Sequence, residues 1–259
     1  MKTFAFFTVV LLAFTSCKKE VNQTTQSEIS QETMTKIYNH GFGTSNVQKV
    51  DEGYLVEGDI ILTEDYLNST PGGNLLRIAN EEQYHTTNLV STPRVITIST
   101  SGNISTRLSD GINAAIARYN AENLQITFQR GGSNGGGTIN IRLINSNQYI
   151  ASSGFPSGGN PYPEVKYSKT YQNYALGFVT SVIAHEVGHC IGFRHTDYAD
   201  RSFSCGGSPT NEGASTVGAI YIPGTSTGPE AGSWMLACLS AATDRPFTNN
   251  DKTALNYLY

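Results

Sequence analysis

The chain has 259 residues and a formal net charge of −4; 38% of its residues are hydrophobic, 15% are charged and 26 are glycine. This length allows one domain of ordinary size and a smaller segment. The negative charge argues against nucleic acid as a partner, because binding to phosphates requires a surplus of lysine and arginine. The low charge and the many glycines favour a compact, loop-rich, exported protein over a charged cytosolic one.

The N-terminus has the pattern of an export signal. Lys2 precedes an apolar run over residues 4–14, which is too short to span a bilayer, and small residues then lead to Cys17. Residues 1–16 resemble a bacterial lipoprotein signal, which implies lipid attachment to Cys17 after cleavage. The protein would then be anchored to the cell envelope, facing the periplasm or the outside, or be released from the cell. The alternative is an ordinary signal peptide that is cut nearby, with an incidental cysteine.

Two regions separate this signal from the main domain, which we assign to residues 92–259. Residues 17–30 are polar and rich in Thr, Ser and Gln, so they indicate a flexible tether. Residues 31–91 contain a predicted short helix over Glu32–Tyr38 and a strand, turn and strand over Gly53–Leu62. These elements are too small to hold a good core alone, and we treat them as a separate segment.

The main domain begins with alternating apolar and polar stretches that predict strands, and with a helix at apolar spacing that Ser105 or Thr106 caps. The strands are Arg94–Thr100, Leu124–Arg130, Thr138–Asn145 and Val165–Ser168, and the helix is Ser105–Asn120. Gly131–Gly137 is predicted to be a hairpin loop, because it leads into a strand and lacks the Lys-Ser/Thr of a phosphate-binding loop.

A second long helix is predicted over residues 175–191, which contain no proline and are apolar on nearly every side. His185 and His189 are four residues apart and therefore lie on one face, where Glu186 can reach a metal-bound water. Burying such groups without a partner costs roughly 2 to 7 kcal/mol each. Two imidazoles at this spacing suit Zn²⁺. The alternative is a core helix whose histidines donate hydrogen bonds to backbone carbonyls.

A third ligand follows the helix. Gly192 lies three residues past His189, where helices commonly end on a left-handed residue, and glycine adopts that conformation without strain. The chain can then turn back, so that His195 approaches the same ion from outside the helix. Three nitrogen ligands leave the fourth tetrahedral position for water, which is typical of a catalytic rather than a structural zinc.

Residues 185–195 follow the pattern HExxHxxGxxH, and FRHTDY continues it from Phe193. This pattern resembles the metzincin clan of zinc endopeptidases, and most of all the dual-action HEIGH metallopeptidases of bacteria. The resemblance implies an α+β catalytic domain with a mixed twisted sheet and two long helices, one of which binds the metal. It also implies one catalytic Zn²⁺ ion and peptide-bond hydrolysis with Glu186 as the general base.

Residues 31–91 resemble the pro-segment of related proteases, particularly the astacins, in which an aspartate after a glycine replaces the zinc-bound water. The matching residues are Glu57, Gly58 and Asp59, with Val56 where the astacins have an aromatic residue. The resemblance implies a zymogen in which Asp59 blocks the zinc until the segment is removed. The other interpretation is a Gly-Asp turn in a small accessory sheet.

The C-terminal half is rich in loops and ends in a predicted helix over Phe247–Tyr259. Met235 resembles the methionine of the clan's Met-turn, whose thioether forms an apolar floor beneath the zinc; a generic core methionine is the alternative. Ala237 stands where the astacins have a further tyrosine ligand. An oxyanion-stabilising tyrosine must therefore come from elsewhere, and Tyr198 and Tyr221 are the candidates.

Three cysteines remain if Cys17 carries lipid. Cys205 and Cys238 both lie in the loop-rich half, so a disulfide between them is the preferred pairing, while other pairings stay open. Cys190, inside the predicted metal-binding helix, is expected to be a buried thiol.

These observations predict a lipid-anchored zinc endopeptidase that acts on polypeptides as a monomer. An extended substrate would pair with a sheet edge, for which Tyr149–Phe155 is the candidate. The alternatives are a binding lipoprotein that keeps the metal without catalysis, and a zinc hydrolase of a non-protein cell-envelope substrate. The sequence leaves calcium binding and cleavage specificity open.

Overall fold

The computed structural model describes residues 29–40, 42–69, 83–212, 218–241 and 243–259. The predicted signal, its Cys17 and most of the tether lie outside these residues. Within them, no helix is both long and apolar enough to cross a lipid bilayer.

The N-terminal segment forms a small sheet flanked by two short helices. Its elements are α1 (Gln31–Asn39), β1 (Gln48–Val50), β2 (Gly53–Val56), β3 (Ile60–Leu62) and α2 (Glu64–Leu67). β2 lies between β1 and β3 and is antiparallel to both. Apolar side chains of these elements share a core of their own, to which Phe155 of the main domain adds its ring.

The main domain is built on a five-stranded mixed sheet, and the predicted α+β class is confirmed. In chain order the next elements are β4 (Tyr84–His85), β5 (Arg94–Ser101), α3 (Thr106–Asn120), β6 (Ile126–Arg130), β7 (Ile139–Ile144), β8 (Ala151–Ser152), β9 (Glu164–Ser168) and α4 (Leu176–Ile191). The sheet has the order β6-β5-β7-β9-β8, and all neighbours are parallel except β8, which is antiparallel to β9. The sheet, α3 and α4 share one hydrophobic core.

The two long helices pack closely because of one glycine. A Cβ atom at Gly111 of α3 would lie 2.5 Å from the Cγ1 atom of Val179 in α4, so no larger residue fits there without movement. Ser105 caps α3, since its hydroxyl accepts a hydrogen bond from the Leu108 N–H.

The hairpin predicted for Gly131–Gly137 is wrong. β6 and β7 lie on opposite sides of β5, β6 beside Arg94–Ile98 and β7 beside Ile98–Ser101, so the loop crosses β5. A Cβ atom at Gly137 would lie only 2.6 Å from the Thr97 carbonyl oxygen, which explains the glycine. A glycine-rich stretch between two strands looks the same in sequence whether it forms a hairpin or a crossover.

The C-terminal half adds α5 (Ser202–Cys205), β10 (Ile220–Tyr221) and α6 (Asn249–Leu258) to long loops. β10 pairs with β4, and His85 of β4 also pairs with Phe193, just after α4. The chain around β4 is therefore hydrogen-bonded to the end of the helix that carries the histidines.

The N-terminal segment extends the main sheet at its β8 edge. Ile60 of β3 pairs in parallel with Ser153, directly after β8. The Ile61 N–H donates to the Ser153 carbonyl at 2.8 Å, and the Ser153 N–H donates to the Asp59 carbonyl at 2.9 Å. The edge proposed at Tyr149–Phe155 thus contains the outermost strand of the main sheet, and residues 59–61 pair with it.

Because the loop crosses β5, substitution of two of its glycines should change the stability of the protein by different amounts. Gly137→Ala should lower the free energy of unfolding by about 2 kcal/mol, because the new methyl group meets the β5 backbone. Gly132→Ala is the matched control, since a Cβ atom at Gly132 meets nothing within 4 Å. Urea denaturation of both variants measures the difference, and equal stabilities would contradict the crossover.

Candidate metal centre

The end of α4 determines where the third histidine lies. Fourteen of its residues, Phe178–Ile191, are buried, and the helix ends at Gly192, whose φ of 114° is in the left-handed region. The Gly192 N–H donates to the Gly188 and His189 carbonyls, which closes the last turn. The chain then reverses and brings His195 back over the helix.

The three imidazole rings converge on one point. The Nε2 atom of His195 lies 3.1 Å from that of His189 and 3.3 Å from that of His185. Zinc–nitrogen bonds of about 2.0–2.1 Å at tetrahedral angles separate neighbouring ligand atoms by about 3.3 Å. Both separations from His195 therefore match the spacing of ligand atoms around a tetrahedral zinc ion.

Each ring is oriented by a hydrogen bond from its other nitrogen. The Nδ1 acceptors are the carbonyl of Trp234 for His185 at 2.9 Å, the carbonyl of Phe193 for His189 at 2.8 Å, and the carboxylate of Glu212 for His195 at 2.8 Å. With a metal ion bound, these bonds would hold the proton on Nδ1, so that the Nε2 lone pairs could point at the ion.

Glu186 is buried beside this centre and is held by a serine. Its Oε2 atom accepts a hydrogen bond from the Ser153 hydroxyl at 2.7 Å. Burial raises the pKa of Glu186 well above its ordinary value, and the nearby Asp59 charge adds to the effect. A carboxylate with a raised pKa is a better proton acceptor near neutral pH.

Met235 lies underneath the helix that carries the histidines. A Cβ atom at Gly188 would be 2.5 Å from the Met235 sulfur, so the thioether packs directly on the backbone next to His189. The buried Asp251 carboxylate accepts a hydrogen bond from the Trp234 N–H at 3.2 Å, which fixes the turn before Met235.

Asp59 of the N-terminal segment reaches the same centre. Its Oδ2 atom lies 3.1 Å from His195 Nε2, 3.3 Å from His185 Nε2 and 4.0 Å from His189 Nε2. This oxygen occupies the fourth corner of a tetrahedron whose other corners are the three nitrogens. Burial opposes ionisation of Asp59, but the His195 charge and the histidine hydrogen bonds outweigh burial and lower its pKa.

A second acidic residue of the segment enters a buried charge cluster. Both carboxylate oxygens of Glu57 lie 3.1 Å from Arg194 Nη2, and the Glu212 carboxylate is 3.7 Å from the same guanidinium. Glu57 has a φ of 55°, which costs a non-glycine residue roughly 1–3 kcal/mol. Burial and the Glu212 charge raise the pKa of Glu57 to about 8, against the opposing charge of Arg194.

The cleft beside the centre contains other tyrosines than those expected. A cavity of about 280 Å³ is lined by Asp59, His185 and Glu186 and also by Tyr149 and Tyr171. The two candidates from the sequence have different surroundings: Tyr198 packs edge-on against Tyr84 with 4.3 Å between ring centroids, and the Tyr221 hydroxyl donates to the Thr225 carbonyl at 2.8 Å.

The cysteines lie on both sides of the Met235 turn. Cys205 at the end of α5 and Cys238 form a disulfide, which connects the loop after His195 to the residues that follow Met235. Cys190 is a buried thiol within α4.

Several contributors gave no signal in the sequence. Ser153 stands in a stretch that indicated only a sheet edge, and Glu212 lies in an aperiodic loop. Arg194 occupies a variable position within the histidine pattern, and Glu57 was noted only for its place before Gly58. The one hint in the sequence was that Glu57, an acidic residue, lies two positions before Asp59, the candidate inhibitory aspartate.

A sequence model of the family described as dual-action HEIGH metallopeptidases matches residues 55–259. The chain belongs to this family. The predicted family resemblance is thereby confirmed. A comparison with curated proteins finds no match.

Two solved structures of myroilysin are similar to this metallopeptidase. One has a TM-score of 0.43 at 13% sequence identity and covers 65% of this chain and 81% of that chain. The other has a TM-score of 0.41 at 14% identity and covers 64% of this chain and 83% of that chain.

Loss of the Glu212 carboxylate should weaken metal binding without removing a ligand. Glu212→Ala leaves His195 Nδ1 without its acceptor, so we expect zinc affinity to fall about 10- to 100-fold. Glu230→Ala is the control, because the Glu230 carboxylate accepts hydrogen bonds from Thr248 and Asn250 instead. Titration of the metal-depleted variants against a chromophoric chelator compares them; equal affinities would exclude the orienting role of Glu212.

Proposed function

We propose that this metallopeptidase is a zinc-dependent endopeptidase that is made in a latent form and exported to the cell envelope on a lipid attached to Cys17. The observation that carries this proposal is that His195 Nε2 lies 3.1 Å from His189 Nε2 and 3.3 Å from His185 Nε2, with Asp59 Oδ2 at the fourth corner. Zinc is the metal that favours three imidazoles in a tetrahedron with one exchangeable position.

In the active form the fourth corner belongs to the water that attacks the substrate. A bound zinc ion would lower the pKa of that water and polarise the scissile carbonyl. Glu186 takes the proton from the water and delivers it to the leaving amine nitrogen. The Ser153 hydroxyl holds the Glu186 carboxylate through its 2.7 Å hydrogen bond, so this base keeps its position.

The substrate proposed for this site is an extended polypeptide. Ser153, directly after β8, uses its backbone N–H and carbonyl to bind residues 59–61 of the N-terminal segment. Backbone pairing of this kind recognises any extended chain and leaves selectivity to the side-chain pockets. A segment docked there excludes a substrate from the same edge.

Latency then has two causes. Asp59 stands where the attacking water must be, and the chain on either side of it fills the edge that binds substrate. Both are relieved together when residues 31–91 leave the cleft after cleavage of the chain.

The role of Glu186 predicts a loss of turnover at full metal content. Glu186→Gln keeps the shape and a hydrogen-bond acceptor for Ser153 but cannot carry the proton, so activity on casein should fall at least about 100-fold. Zinc content of the purified variant is measured in parallel. A variant with normal zinc and wild-type rates would remove Glu186 from the reaction.

A latent form predicts that a substitution in the N-terminal segment raises activity. Full-length Asp59→Ala, assayed before any processing, should cleave peptides at least about tenfold faster than wild type, because the fourth corner is vacated and the segment, having lost this contact, is displaced more readily from the β8 edge by substrate. Asp65→Ala removes an exposed carboxylate of the same segment and serves as the control. Equal latency in both variants would show that Asp59 does not restrain the enzyme.

A further inference from the structure

Glu57 reaches from the N-terminal segment into the main domain in a strained conformation. Its φ of 55° and the φ of 91° at Gly58 form the turn between β2 and β3. Strained non-glycine residues persist where the surroundings require them. Here the contact of the side chain explains the strained backbone, because the turn directs the Glu57 carboxylate onto Arg194.

Residues of the main domain form the surface that binds the Glu57 side chain, which we call the receiving surface. Arg194 is fully buried, and its guanidinium lies over the ring of Tyr198, with 5.7 Å from Cζ to the ring centroid. Arg201 also belongs to this surface, because its Nε atom is 3.1 Å from the Glu212 carboxylate. The Arg201 guanidinium also covers Gly58, since a Cβ atom there would be 3.4 Å from Nη2.

Glu57 brings a second carboxyl group to this cluster only while the segment is docked. Arg194 and Arg201 both approach Glu212, and Glu57 supplies the second carboxylate, at 3.1 Å from Arg194. Departure of the segment removes Glu57, so Glu212 then faces both guanidiniums. A buried cation that loses a carboxylate favours another anion in its place.

This receiving surface adjoins the reaction centre. Arg194 directly precedes the histidine at position 195, and Glu57 stands two residues from Asp59 along the segment. A substrate that follows the path of the segment would therefore bring a side chain to Arg194 within two or three residues of its scissile bond.

We propose that Arg194, supported by Arg201, forms a subsite for an acidic side chain of the polypeptide substrate, and that Glu57 fills this subsite in the latent protein. The inference rests on the proposed endopeptidase function and adds a substrate class to it: polypeptides with a glutamate near the cleaved bond. A planar guanidinium suits this role because it binds carboxylates through directed hydrogen bonds.

The test measures binding separately from cleavage. Full-length Asp59→Ala/Glu57→Ala, with Glu186→Gln added to stop turnover, is titrated with fluorescent peptides that differ only by Glu or Gln; loss of both carboxylates loosens the segment, so that peptides can displace it from the β8 edge. The single glutamate is scanned over three positions on each side of the central bond. The peptide with glutamate at the matching position should bind at least about tenfold tighter than its glutamine twin, as a charge-assisted hydrogen bond predicts.

Two further proteins control for loosening of the segment. Asp59→Ala/Glu186→Gln retains Glu57, which competes for Arg194, so its preference for glutamate should be smaller. Adding Glu52→Ala to that protein removes a different segment carboxylate, one that pairs with Arg142 and Lys166, and should leave the preference small. Arg194→Gln in the first background should abolish the preference. Arg201→Gln should reduce it, and zinc content verifies that both variants retain the site.

Equal affinity for glutamate and glutamine peptides at every position would overturn the subsite, whether or not the enzyme cleaves them. The same peptides are then given to Asp59→Ala/Glu57→Ala with Glu186 intact. A glutamate preference in binding without cleavage of any peptide would leave the subsite standing and refute the proposed endopeptidase. Cleavage with a lower KM for glutamate peptides is the expected result.

Discussion

The structure depends on the convergence of three imidazole nitrogens that belong to different parts of the backbone. Two come from successive turns of α4, and the third returns only because Gly192 ends that helix in a left-handed conformation. His195 Nε2 lies within 3.3 Å of the Nε2 atoms of both other histidines, and burial of three such rings favours a cation or another counter-group at their centre. The surrounding architecture keeps them there: the Trp234 and Phe193 carbonyls and the Glu212 carboxylate fix the rings, and the thioether of Met235 supports the helix from below.

The N-terminal segment contacts this centre and its surroundings through acidic side chains and through its backbone. Asp59 completes the tetrahedron, Glu57 meets Arg194, and Glu52 forms ion pairs with Arg142 and Lys166. The backbone next to Asp59 lies along the β8 edge. Electrostatic and hydrogen-bonding contacts at several places therefore act together, and partial release of the segment would have to break more than the contact at the metal site.

The sequence predicted what local rules determine. Helix periodicity places His185 and His189 on one face, and the glycine three residues later ends the helix, so the metal pattern was visible within eleven residues. Four strands of the main sheet, β5, β6, β7 and β9, and both long helices followed from the sequence pattern. The remaining features join distant residues: Ser153 to Glu186 across 33 positions, His195 to Glu212 across 17, and Arg194 to Glu57 across 137. Composition and periodicity carry no information about such pairs, and the same limit applied to the glycine crossover, whose partner strand β5 lies earlier in the chain.

The pairing of β3 with Ser153 also has a consequence for the edge of the main sheet. An open sheet that ends in a short, unprotected strand exposes backbone groups to which another chain can add, and such edges promote aggregation. The β8 side is covered by a three-stranded sheet from the same polypeptide. The segment thus shields the main domain from self-association through this edge.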